Sequence, residues 1–216
     1  MRAHLPMSFV LVLAVLFVSA GDVLSAQESR SHAHIGHVAT AFGGTPEGTG
    51  LLPTAEAEAE VAAQHAGFAA GDTEDLSSMQ RHAAHVLHAV DPSRVEGGPG
   101  KGYGLIQAAE GVAQHIEAAA GDGASDNVKT HATHVANAAR NTAERARRMA
   151  QLAQEVAEAG SAGEAAGLVA ELETLARRAV EGHDADGDGR VGWQEGEGGL
   201  ETARTHLTLL MRGEGI

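Results

Sequence analysis

Three copies of one short motif set the terms for this chain. His34-Ile35-Gly36-His37-Val38, His82-Ala83-Ala84-His85-Val86 and His131-Ala132-Thr133-His134-Val135 share the form HxxHV and recur 48 and 49 residues apart. A second element alternates with them. The run Ala59-Glu60-Val61-Ala62-Ala63-Gln64-His65 matches Ala109-Glu110-Gly111-Val112-Ala113-Gln114-His115, 50 residues on. Each copy continues to an Ala-Ala-Gly-Asp turn, at 69–72 and 119–122, and glycine-rich connectors fall at 43–50 and 97–104. Self-similarity at such a period marks a supersecondary unit that stacks on copies of itself. The unit is an HxxHV helix, a glycine-rich loop and a QH helix, and the chain holds two full units and the start of a third.

The units are helical. The chain is rich in Ala and Gly but carries only one Trp, one Tyr and four Phe, so the aromatic residues that favour strands are scarce. Ala-rich helices are the natural alternative. Thr54 is placed to cap a helix to about residue 70, and Asp72 or Thr73 to cap one to about residue 90, stopped by Asp91-Pro92. A third is expected over 103–120, and a long fourth, capped by Ser125 or Asp126, to about residue 159. His34 is expected on a short leading helix. Short Gly-Asp turns make antiparallel neighbours. The expected architecture is therefore all-α: an antiparallel four-helix bundle built from a duplicated helical hairpin over 27–160, followed by a C-terminal helix-loop-helix over 164–216.

Charge and cysteine count exclude several functions. A formal net charge of −14 argues against nucleic acid, whose phosphates would be repelled. With no cysteine, disulfides, thiolate zinc sites, iron–sulfur clusters and covalently attached haem are excluded. Residues 1–26 read as an export leader, with Arg2 and His4 before an apolar run from Met7 to Val18 and small residues at 19–21. The apolar run is too short to span a bilayer. Cleavage is expected after Ala20 or Ala26, giving an exported protein, periplasmic or extracellular, with no stable membrane span. The alternative is a leader retained as an anchor.

The thirteen histidines carry the chemistry. Residues three apart on a helix share a face, so each HxxH aims two imidazoles the same way. The hairpins are expected to bring His65 to His82 and His85, and His115 to His131 and His134, with His34 or His37 completing a site. Three imidazoles with water or a carboxylate suit Zn2+, Cu2+ or Ni2+. Glu60 and Glu110, five residues before their histidines, are expected outside the ligand shell. Haem b held between two imidazoles is the alternative, since Ala and Gly beside each histidine leave room for a macrocycle. Purely structural histidines are a third reading. His88, whose counterparts in the repeat are Thr40 and Asn137, is expected at the surface, and His4, His183 and His206 fall outside the pattern. Arg140, Arg145, Arg147 and Arg148 read as a solvated helix face.

Residues 184–195, DADGDGRVGWQE, fit the pattern D-x-[DN]-x-[DN]-G-x5-E without a mismatch. Asp184, Asp186 and Asp188 stand at positions 1, 3 and 5, Gly189 at the sharp turn of position 6, and Glu195 at position 12. The segment resembles an EF-hand calcium loop, and helical spacing of apolar residues on both flanks agrees with that. The resemblance covers about thirty residues and implies Ca2+ held by Asp184, Asp186, Asp188, the carbonyl of Arg190 and Glu195. It departs from the family's usual pairing, because no second loop of this pattern occurs. An unpaired loop is expected to bind weakly, with a Kd of ~10⁻⁴–10⁻³ M. Trp193, inside the loop, is expected to pack on a flanking helix and report loading.

No nucleophile elbow, phosphate loop, HExxH or paired ExxH motif is present, so no catalytic residue is assigned. The sequence reads as an exported calcium-binding protein whose histidine-rich bundle takes up transition-metal ions for capture, storage or sensing. The alternatives are a bis-imidazole haem electron carrier, and an interaction module with one stabilising calcium site. No protein partner is named by the residues.

Overall fold

The computed structural model describes the backbone of residues 20–216 and the side chains of residues 30–216. Among the described residues there are seven α-helices and no strand: α1 (Ala20–Ala39), α2 (Leu51–Gly71), α3 (Leu76–Val90), α4 (Leu105–Ala119), α5 (Asp126–Glu158), α6 (Ala162–Glu181) and α7 (Leu200–Glu214). Residues 1–19 of the expected leader lie outside the description. No described helix is long and apolar enough to cross a membrane.

Side chains close the helix ends where the sequence supplies them. The Ser125 hydroxyl accepts the Val128 amide at the start of α5. Ser161 does the same for Glu164 on α6, and the Glu164 carboxylate reaches back to the Gly160 amide, so two orphan donors of one terminus are satisfied. Two expected caps differ. Asp75, not Asp72 or Thr73, accepts the Ser78 amide on α3. Helix α2 begins a turn before Thr54, whose hydroxyl instead donates to the Gly50 carbonyl inside the first turn. Helix α1 is a full 20 residues rather than a short leader.

Helix α2 packs on α3, and α4 on α5. Helix α5, 33 residues and about 50 Å long, is the spine: α3, α4, α6 and α7 all pack on it. Helix α2 packs on α3, α4 and α6, and α1 lies mainly along α4. In α2 the buried alanines are Ala55, Ala59, Ala62, Ala66 and Ala69, alternately four and three apart. Small side chains on that stripe let neighbouring backbones come close. Larger side chains fill the rest of one apolar cluster that runs from Ile35 through Met149 and Leu172 to Leu210. The core therefore continues across residues 160–164 into α6 and α7.

The connectors are pinned by buried polar groups. Glu58 on α2 is fully buried, and its carboxylate accepts the amides of Lys101, Tyr103 and Gly104 at 3.1, 2.9 and 3.0 Å. Gly100 passes that carboxylate with φ +116°, where a Cβ would strike it. His88, expected at the surface, meets the carbonyl of Pro99 at 2.9 Å and ties the same loop to α3. Arg145, expected on a solvated face, is 8% exposed. Its guanidinium donates to the carbonyls of Arg178, Gly196, Glu197 and Gly198 at 2.6–2.8 Å, clamping the end of α6 to the segment before α7. Burial lowers this guanidinium to about 10, with Arg178 adding to the effect. The other three arginines pair across helices as a surface run does: Arg140 with Glu117, Arg147 with Glu110 and Arg148 with Glu171.

Candidate metal centres

The helix packing gathers nine histidines into three half-buried triads: His34, His37 and His115; His65, His82 and His85; His131, His134 and His206. Each joins an HxxH helix to a helix giving one histidine. The pairs are α1 with α4, α3 with α2, and α5 with α7.

The three triads share one geometry. In each, the lone histidine turns Nδ1 toward Nδ1 of both partners. His115 stands 3.1 Å from His34 and 3.3 Å from His37. His65 stands 3.0 Å from His82 and 3.3 Å from His85. His206 stands 3.1 Å from His131 and 3.3 Å from His134. Zinc–nitrogen bonds of 2.0–2.1 Å in a tetrahedron place neighbouring donors about 3.3 Å apart, so these separations fit two edges of such a centre, and all three donors lie within 4.8 Å of one another. Protons serve the geometry less well, because one ring N–H would have to be shared between two acceptors.

Five of the nine rings are held toward the neutral form, with free lone pairs. Burial lowers the imidazoles of His65 and His115, and the partner histidines of each triad lower them further. His82 is lowered by burial, then by Arg81 and His85, and His134 by burial, then by His131. His206 is pushed down to about 4, by burial first and then by His134 and His131. Metal ligation requires the deprotonated ring.

The pairing expected for His115 is corrected. It meets His34 and His37 on α1, not His131 and His134. Helix α4 faces α5 with Glu110, Ala113 and Glu117, two of them ion-paired to Arg147 and Arg140. His115 is two residues from Ala113, about 200° round the helix, and so looks the other way, toward α1. Glu60 and Glu110 are exposed and belong to no triad. His206, set outside the pattern on sequence grounds, completes the third triad. Its signal was present: Glu201 precedes it by five residues, as Glu60 precedes His65 and Glu110 precedes His115.

An aromatic ring lies against each triad. Phe42 sits 4.9 Å from His115 and 5.5 Å from His37, centroid to centroid. Phe68 sits 5.6 Å from His65 and 5.3 Å from His82. Trp193 stacks on His134 at 4.1 Å, the planes 20° apart. Trp193 therefore packs on α5 rather than on a helix flanking its own loop. Within each triad the haem alternative fits poorly. Axial imidazole nitrogens on opposite faces of a haem stand about 4 Å apart with the macrocycle between them, and 3.0–3.3 Å leaves no such slot.

The acidic loop gathers Asp184, Asp186 and Asp188. Asp184 accepts the amides of Gly187, Asp188 and Gly189, and these bonds, that from Gly189 foremost, lower its carboxyl. Gly187 and Gly189 take φ of +79° and +88°, so the backbone folds under the carboxylates. Glu195 is not in the cluster. It lines a surface cavity with Asn137, Arg140, Asn141 and Glu144 of α5. The helix α7 begins only at Leu200, and the nearby Glu197 turns inward, its carboxylate accepting the Gly192 amide. Three of the four expected carboxylates thus cluster at the surface, with Glu195 outside the group.

No family model matches the chain, and comparison with curated proteins and with solved structures finds no match.

Proposed function

We propose that this chain is a metal-binding protein whose three histidine triads each take up one first-row transition-metal ion, Zn2+, Cu2+ or Ni2+, for capture, storage or sensing. One observation carries the reading: three sites built from different helix pairs repeat the same Nδ1 geometry to within 0.1 Å. Packing alone has no reason to aim nine lone pairs in three groups. Imidazole donors suit these metals. A Ca2+ ion at Asp184, Asp186 and Asp188 would relieve the repulsion of three clustered carboxylates and stiffen the segment between α6 and α7. The apolar run at residues 7–18 supports an exported location, where metal is met from outside.

The test is metal analysis and an absorption spectrum of protein made without a histidine tag. Bound metal without a Soret band is expected. The paired variant His82→Ala/His85→Ala should lose one equivalent of metal. Unchanged metal content in that variant would remove the second triad from the proposal, and a Soret band would replace metal ions with haem.

A further inference from the structure

Among the described residues each triad offers three protein ligands and no fourth. No carboxylate or further imidazole belongs to any of the three groups. Structural zinc sites are closed by four protein ligands, whereas sites that exchange a ligand keep one position open. The surroundings of the triads also bear on this. The described residues contain four aromatic side chains, and three of them lie against triads. They reach there from unrelated places: Phe42 from the turn after α1, Phe68 from α2 itself, Trp193 from the segment before α7. They do not stand at matching positions of the repeat. A phenyl or indole ring supplies no metal ligand. It walls one side of the centre and leaves the remaining space to something small. All nine triad histidines are half-buried, so solvent reaches each group from one side.

We infer that each triad, once metal-bound, keeps a fourth coordination position for a small exogenous ligand: water or hydroxide at rest, exchangeable for a monoanion such as azide. The aromatic ring bounds the size of what enters. This rests on the metal reading above.

Cobalt(II) is the probe, because its visible bands report coordination. Tag-free protein is loaded with Co2+, the bound metal is counted by elemental analysis, and azide is titrated in. The variant His115→Ala/His206→Ala, which keeps only the His65–His82–His85 triad intact, gives the one-site spectrum. The expected result is Co2+ uptake with bands of a four-coordinate ion that shift saturably with azide, in the parent and the one-site variant alike. Co2+ uptake with a spectrum indifferent to azide overturns the open position and leaves the metal sites standing. Failure to take up Co2+, Zn2+ or Cu2+ at all overturns both.

Discussion

The indole of Trp193 lies stacked on the imidazole of His134, 4.1 Å between centroids and 20° from parallel. The residue sits in the segment that carries the acidic loop, yet its ring belongs to the third histidine triad. Its fluorescence should therefore respond to that triad. Addition of Cu2+ should quench it strongly in the parent, and His206→Ala should abolish the quenching at low copper. Equal quenching in the variant would place the copper elsewhere.

For the acidic loop, Asp184→Ala removes the acceptor of three backbone amides along with a candidate ligand. Calcium binding, followed by calorimetry, should weaken sharply. The same heat of binding in parent and variant would take the loop out of consideration.

Arg145 is the polar keystone between α5, α6 and the segment before α7. Replacing it with Met leaves carbonyls of Arg178, Gly196, Glu197 and Gly198 without their donor. The expected cost is about 3 kcal/mol in chemical denaturation. Lys should rescue little, since its ammonium cannot span four carbonyls as the planar fork does. A variant within about 0.5 kcal/mol of the parent would show the clamp to be idle.

Acid should loosen the metal-free protein. The ordinary imidazole value is 6.5, and His65, His82, His115 and His134 lie below it in the fold, with His206 at about 4. Below pH 6.5 the unfolded chain binds more protons than the folded one, so stability is whole above that pH and falls as the pH drops toward 4. Urea midpoints measured in the presence of chelator should follow that course. His206→Gln should flatten it, and a flat profile in the parent would contradict the lowering of these five imidazoles.

Much of the fold was legible because it is written in local signals. Glycine-rich breaks, Ser125 and the Asp91-Pro92 stop bounded helices close to where they lie, and HxxHV named six of the nine triad histidines. What failed was long-range. Which face of α4 meets α5 depends on Glu110 and Glu117 finding Arg147 and Arg140, and that decides where His115 looks. His206 was hidden by distance: it follows its HxxH by 75 residues from His131, against 31 for His34 to His65 and 33 for His82 to His115. The tail of α5, all of α6 and the acidic loop fill the difference. Glu58 was equally silent, since nothing local distinguishes a buried carboxylate serving a distant loop from its neighbours Glu56, half-buried, and Glu60, exposed.

The most direct measurement is the number of Zn2+ ions bound per chain, by native mass spectrometry of tag-free protein. Calcium is kept saturating so that the acidic loop does not compete. The parent should bind three, His206→Ala two, and His65→Ala/His115→Ala/His206→Ala none, with the helical circular dichroism of all three alike. Three ions retained by the triple variant, or none bound by the parent, would contradict the account.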